Sequence, residues 1–243
     1  MGVSGDARLT APAYRRGMTT STLQLDDVAG SRTWARVFAA IYDPSLWVAE
    51  RAGMRGHRDA LLTQARGLTL EVGSGTGLNL AHYPDDLADL VLAEPNPSMR
   101  NRLQTAVHRS KRNARVIDAR AEQLPFADAS VDTVVSTLVL CTVDDPDLAL
   151  REIARVLRPD GQLLFIEHVR SDSPLLARWQ DRLARPWRRF AEGCRCNRAT
   201  LELMKACGFR LDARPAAWRA MPPFIRPLAI GRATIPATRG QAA

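Results

Sequence analysis

"LEVGSGTGLNLAHYP", Leu70 to Pro84, decides how this 243-residue chain is read. Gly73, Gly75 and Gly77 stand at alternate positions between an apolar run and what reads as the start of a helix. Glycine takes positive φ without steric cost and lets backbone approach a ligand, so such a loop can cradle a nucleotide. A carboxylate, Glu71, stands directly in front of the glycines. Its charge bears on which nucleotide the loop can accept.

Around the loop the pattern alternates. "LTLEV" (68–72) reads as a strand, and the loop is expected to open a helix through Leu80. "LADLVLAE" (87–94) is a second strand, and Asn96-Pro97 supplies an N-cap and a first-turn proline for a helix with Met99, Leu103 and Val107 on one face. "ARVID" is a third strand. "VDTVVSTLVL" (131–140), a fourth, is apolar on both faces as a central parallel strand should be. A helix from Asp147 to Arg158 stops at Pro159-Asp160-Gly161, and "QLLFIEHV" (162–169) is a fifth strand. Upstream, Trp34, Val37, Phe38 and Ile41 recur at helical spacing, with Asp43-Pro44 as the expected end, and a second helix runs towards Gly67.

This rhythm predicts an α/β fold, a doubly wound parallel sheet of Rossmann-like type. N-terminal helices precede it, and a helical insert precedes the last two strands. Residues 1–30 are expected to be a flexible tail, with Met18 an equally good start. Residues 31–240 form one domain: core 67–170, helical insert 171–207 and final strands 208–235, expected to be antiparallel. The insert's last helix is capped by Gly208.

In an open parallel sheet, ligands bind beyond the carboxyl ends of the strands. The dinucleotide fingerprint is G-x-G-x-x-G, whereas here the spacing is G-x-G-x-G, with Leu78 in place of the third fingerprint glycine. Glu71 would also repel a pyrophosphate. It suits S-adenosylmethionine (SAM), which carries an ammonium and a sulfonium and no phosphate. Glu94, ending the second strand 21 positions after Gly73, can accept hydrogen bonds from both ribose hydroxyls. Ala121 and Glu122 are placed to border the adenine. Ser74, Thr76 and Asn79 in the loop, Pro95 and Met99 after Glu94, and Thr137 and Leu138 late in the fourth strand complete the expected cofactor set.

Acid, glycine loop and acid on this rhythm resemble the class I SAM-dependent methyltransferases with a type-11 methyltransferase domain. The motifs carrying the resemblance are "LEVGSGTGLN", "AEPNPSM", "AEQLPFADASVDTVVS" and "ALREIARVLRPDGQLLFIEHV". "CTVDDP", "FIEHV", "EGCRCNRAT" and "RPLAIGRA" are similar to a narrower group, the alkyl-thiol methyltransferase branch and its bacterial relatives. The resemblance implies a seven-stranded sheet, SAM as cofactor with S-adenosylhomocysteine as product, and a small apolar acceptor.

Methyl transfer from SAM needs the nucleophile aligned with the methyl group and shielded from water. His168, following the fifth strand, is the candidate base, and Tyr42 and Asp43 are candidates on the first helix. Leu175, Trp179, Leu183, Trp187 and Phe190 of the insert could enclose an apolar acceptor, with a thiol the first choice. Methylation of oxygen or nitrogen in another small molecule, such as a quinol or phenol, is the alternative. The net charge of +8 also admits an RNA partner, but the arginines are scattered without interleaved aromatics, so a small molecule is favoured over nucleic acid. The basic insert helix could lie on a membrane surface, yet a lid over the pocket is preferred. Cys194, Cys196 and Cys207 lack a fourth ligand, so no metal is expected. The first residues lack a signal peptide's apolar centre, which makes the cytoplasm the expected compartment and free thiols the expected state.

Overall fold

The computed structural model describes residues 32–236, so the expected tail and the choice between Met1 and Met18 lie outside the described residues, as do the side chains of Trp34 and Ile41. In chain order the elements are α1 (Arg32–Ala49), α2 (Arg55–Leu62), β1 (Leu68–Val72), β2 (Asp89–Ala93), α3 (Pro97–Ser110), β3 (Ala114–Ile117) and β4 (Val131–Thr137). There follow α4 (Pro146–Val156), β5 (Leu157–His168), α5 (Pro174–Phe190), α6 (Thr200–Ala206), β6 (Arg210–Ala217) and β7 (Pro227–Thr234). The strands form one seven-stranded sheet in the order β3-β2-β1-β4-β5-β7-β6. β1 to β5 run parallel, and β7 lies antiparallel between β5 and β6, as expected for the last two strands. Strand order therefore reverses between β1 and β4, which is where an open sheet leaves a crevice.

The sheet is covered on both faces because its central strands are apolar on both. Along β5, Leu163 and Phe165 join the core that includes Leu150, Ile153 and Phe209, while Leu164 and Ile166 join the one that includes Leu62, Leu103 and Trp218. This two-residue alternation, apolar on either side, keeps both layers of helix in place.

Four local expectations are corrected. α1 does not stop at Asp43-Pro44 but continues through Pro44 to Ala49. An internal proline costs about 3 kcal/mol, and the buried Leu46, Ala49 and Met54 beyond it offset that, at about 1.5–3 kcal/mol for each large side chain. The chain bends instead in a π turn at Glu50–Met54, where Gly53 takes φ 144°.

The helix expected after the glycine loop shrinks to a single 3-10 turn, Leu80–His82. Asn79 turns its side chain inward, and Tyr83, in front of Pro84, is held extended with ψ 150°. β4 ends at Thr137 rather than at Leu140, because Leu138 enters the left-handed region with φ 60°.

The fourth correction concerns the insert. α5 buries Ala177 and Gln180 and leaves Leu175 and Trp179 exposed. Gln180 sets this phase: its amide donates to the carbonyls of Val169 (3.1 Å) and Cys196 (2.9 Å) and accepts from the Ser171 N–H (2.8 Å). The inward stripe is thus Ala177, Gln180, Ala184 and Trp187. Among the described residues, no helix is long and apolar enough to cross a membrane.

Candidate active site

The loop after β1 takes a left-handed backbone that favours glycine, and at Gly73 it lies too close to a neighbouring side chain for any other residue. Gly73 has φ 59°, and a Cβ there would lie 2.6 Å from a methyl carbon of Val139. Gly75 has φ 56°, and a Cβ there would meet nothing within 4 Å. The loop is tight against the protein at Gly73 and open at Gly75. Glu94, at the end of β2, accepts the Gly75 N–H at 2.8 Å with one carboxylate oxygen and the Asn96 N–H at 2.8 Å with the other. Burial nevertheless raises its pKa, against these two hydrogen bonds. Asn96 caps α3 as expected, its Oδ1 accepting from Ser98 and Met99.

Behind the loop lies a buried polar network. Glu71 accepts from the Tyr83 hydroxyl at 2.6 Å and from the Asn79 amide at 2.9 Å. Asn79 donates also to Thr137 Oγ1 at 3.1 Å and accepts from the Arg58 guanidinium at 2.5 Å. Arg58 in turn is paired with Glu50 at 2.9 Å. Burial pushes Glu71 up to about 7, opposed by its two hydrogen bonds and by the Arg58 charge. Glu71 therefore does not border the ligand space itself. It stands behind the loop, tied to it through Asn79. Ser74 and Gly77 also face inward, the latter against Leu80 and Leu103. Thr76 donates to Asp43 at 2.6 Å, so Asp43 fastens α1 onto the loop and does not line the cavity.

In front of the loop is a cavity of about 650 Å³. Gly73, Gly75, Glu94, Pro95, Met99, Ala121, Glu122, Thr137 and Leu138 of the expected cofactor set all border it. Glu122 is fixed there by the Asp144 N–H and by Arg120. The other part of the wall is built by Phe38, Tyr42, Leu46, His168, Trp187, Phe190, Trp218 and Met221, with Cys141 and Cys194. Glu94 follows β2 and His168 ends β5, three strand spacings apart or about 14 Å. The cavity thus has two ends. Tyr42 borders the second, and burial pushes its hydroxyl up to about 12.

At that second end the structure brings together residues far apart in sequence. Cys141 Sγ lies 3.4 Å from His168 Nδ1, Cys194 Sγ lies 3.6 Å from the same nitrogen, and the two sulfurs are 3.7 Å apart. All three residues are buried. The hydrogen bond from Cys141 holds the Cys194 thiol well below its usual range, helped by the His168 charge, while Cys141 is pushed well up. Burial lowers His168, but Cys194 and Glu167 outweigh it and the net shift is upward. Cys207 is instead beside Asp147, and Cys196 stays outside this cluster, so the trio of Cys194, Cys196 and Cys207 weighed from sequence does not assemble. Spacing along the chain carried no signal for Cys141, Arg58, Tyr83 or Trp218, which reach the site from separate elements.

Comparison with known proteins agrees with this geometry. Residues 70–165 match the family model described as a methyltransferase domain, Methyltransf_11. Thiol S-methyltransferase TMT1B of Rattus norvegicus is 35% identical over 173 residues, covering 68% of this chain and 69% of that protein. The ubiquinone/menaquinone biosynthesis C-methyltransferase UbiE of Hahella chejuensis is 37% identical over 117 residues, 46% of this chain and 47% of UbiE. A SAM-dependent methyltransferase structure from Thermotoga maritima superposes with a TM-score of 0.61 at 24% identity, over 83% of this chain and 98% of that one, which speaks for the fold.

Proposed function

The chain belongs to the SAM-dependent methyltransferase family, and from that premise we propose that its acceptor is a small, largely apolar thiol, methylated on sulfur. The observation that carries the reading is the second end of the cavity. Its walls are Phe38, Leu46, Trp187, Phe190 and Met221, and polar groups are concentrated at His168 and the two thiols beside it. An apolar body would fill the walls, and a reacting atom would sit at the polar corner.

The residues present fit SAM. Gly75 leaves open space where a side chain would intrude, and the Glu94 carboxylate borders that space, held by two backbone N–H groups. When bound, SAM supplies a methyl group activated by a sulfonium. The glycine loop and Glu94 would hold its nucleoside, Ala121 and Glu122 would flank its base, and buried Glu71 would lend negative potential behind a cationic ligand. The wall residues exclude water from the acceptor, which leaves alignment and loss of one proton as the remaining requirements. A thiol, with an ordinary pKa near ~8.5, loses that proton far more readily than an alcohol.

A SAM-consumption assay across thiols, phenols, quinols and amines tests the reading. Alkyl or aryl thiols are expected to give the highest kcat/KM. Turnover of phenols or amines with thiols untouched would overturn the choice of sulfur and leave the methyltransferase assignment standing. A quinone-related ring is the second reading, favoured by the likeness to UbiE, which is named a C-methyltransferase of ubiquinone/menaquinone biosynthesis.

A further inference from the structure

We infer that Cys141, His168 and Cys194 form a zinc site with one open position facing the acceptor end of the cavity, where the zinc takes the acceptor's sulfur as a thiolate. This rests on the thiol reading of the same cavity and departs from the sequence-based expectation of no metal.

The geometry is specific. Two thiolates at about 2.3 Å and one imidazole nitrogen at about 2.0–2.1 Å from a tetrahedral zinc stand about 3.8 Å apart, sulfur to sulfur, and about 3.6 Å, sulfur to nitrogen. The corresponding separations here are 3.7 Å between the sulfurs and 3.4 and 3.6 Å to Nδ1. One atom at the centre of this triangle's open side would touch all three donors. Among the described residues no fourth His, Cys, Asp or Glu joins them. All three side chains line the cavity, so the missing fourth ligand would come from there. Three protein ligands with an open position is the arrangement of catalytic rather than structural zinc, and two thiolates with an imidazole favour a borderline-soft ion.

The surroundings hold the donors in place, with Cys141 Sγ 3.4 Å from the Leu138 carbonyl and the Trp187 side chain against Cys194. Glu167 accepts the N–H groups of Val139 and Leu140, and Arg198 donates to the carbonyls of Leu140 and Val143, which pins the turn carrying Cys141. The Arg195 N–H donates to the Cys141 carbonyl at 2.8 Å, tying the two cysteine loops together. Thr200 donates to the His168 carbonyl at 2.8 Å. The outer ring nitrogen of His168, Nε2, is buried without a well-formed hydrogen bond, near the Ile225 backbone. Metal ligation at Nδ1 fixes the proton on Nε2, and a carbonyl there is the usual outer partner of a ligating histidine.

The step balances. The acceptor thiol gives its S–H proton to solvent as its sulfur joins zinc. A lone pair on that sulfur then forms the bond to the methyl carbon. The bond from that carbon to the sulfonium sulfur breaks, and its electron pair stays on the departing S-adenosylhomocysteine. The product thioether is neutral and a poorer ligand, so it leaves the metal.

The test is metal content of the full chain, purified under reducing conditions and reconstituted with zinc chloride, then freed of loose metal. About one zinc per chain is expected, and cobalt(II) in its place should show thiolate-to-metal charge-transfer absorption. Cys141→Ser and Cys194→Ser should each cut retained zinc at least tenfold, while Cys207→Ser retains it. SAM binding, measured by calorimetry in every variant, reports folding and tests the cofactor site separately. Loss of zinc with SAM binding kept supports the site. A wild type that binds SAM but holds no zinc, or a Cys141→Ser/Cys194→Ser double variant that holds as much as wild type, overturns it. A chain that holds zinc but methylates only phenols or amines would overturn the thiolate role.

Discussion

The two ends of the cavity are built by opposite strategies. The cofactor end is mostly backbone: a glycine loop, the N–H groups of Gly75 and Asn96, and one carboxylate, all within the 24 residues from Gly73 to Asn96. The acceptor end is mostly side chains, contributed by α1, the turn after β4, the end of β5, the end of α5 with the loop beyond it, and the segment after β6. Backbone geometry is set by local rules and is least tolerant of change at its glycines and at the carboxylate that holds it. A wall of side chains can be altered one residue at a time, which is where a fold shared by many methyltransferases can change its acceptor.

The largest effect should come from breaking the backbone end. Gly75→Arg puts a side chain at φ 56° and into the open space before the loop, so SAM binding should vanish from calorimetry. Glu94→Ala leaves two part-buried N–H groups without their acceptor and removes the ribose partner, at about 3 kcal/mol or roughly 100-fold in affinity. Either variant binding SAM like wild type would mean that the two ends are not divided as described.

An intermediate effect belongs to the side-chain end. Trp187→Ala removes an aromatic wall packed on Phe190 and Phe224, and should raise the acceptor's KM about 10- to 50-fold while SAM affinity stays within about twofold. Trp179→Ser, on the exposed side of the same helix, should change neither, and stability by no more than about 0.5 kcal/mol. Equal losses in both variants would undo the phase assigned to α5.

The smallest effect is a pH dependence that separates the ends. Glu71 sits at about 7 in the folded chain, raised by burial from an ordinary value of 4.5. Between those two values the folded state binds the extra proton, so this group's contribution to stability falls as pH rises through the window and is level above it. A cationic ligand favours the ionised carboxylate and reverses the balance. SAM affinity should therefore rise several-fold, and less than about tenfold, from pH 6 to 8. Glu71→Gln should flatten that slope without altering the acceptor's KM. A slope unchanged in Glu71→Gln would assign it to another group.

How much of this was legible in the sequence follows the same division. Strand alternation, the glycine spacing, Glu94 and the Asn96 cap were all readable, because each depends on neighbours within a few residues. The antiparallel final pair was readable as well. The inward turn of Asn79 and Tyr83 that shortened the first crossover helix was not, since both side chains answer to Glu71 and Arg58 across the core. The face that α5 buries escaped too. An apolar stripe was the natural expectation, and a single glutamine with three backbone partners chose another.

By itself the sequence determined the doubly wound sheet, the position of its nucleotide loop and a ligand without phosphate, because period, turn chemistry and a carboxylate before the glycines act locally. Only the tertiary structure decided that α1 runs through Pro44, that Glu71 lies behind the loop, and that two cysteines 53 positions apart meet one histidine. Those outcomes depend on burial and on contacts between distant segments, whose free energy exists only once the sheet has brought the segments together.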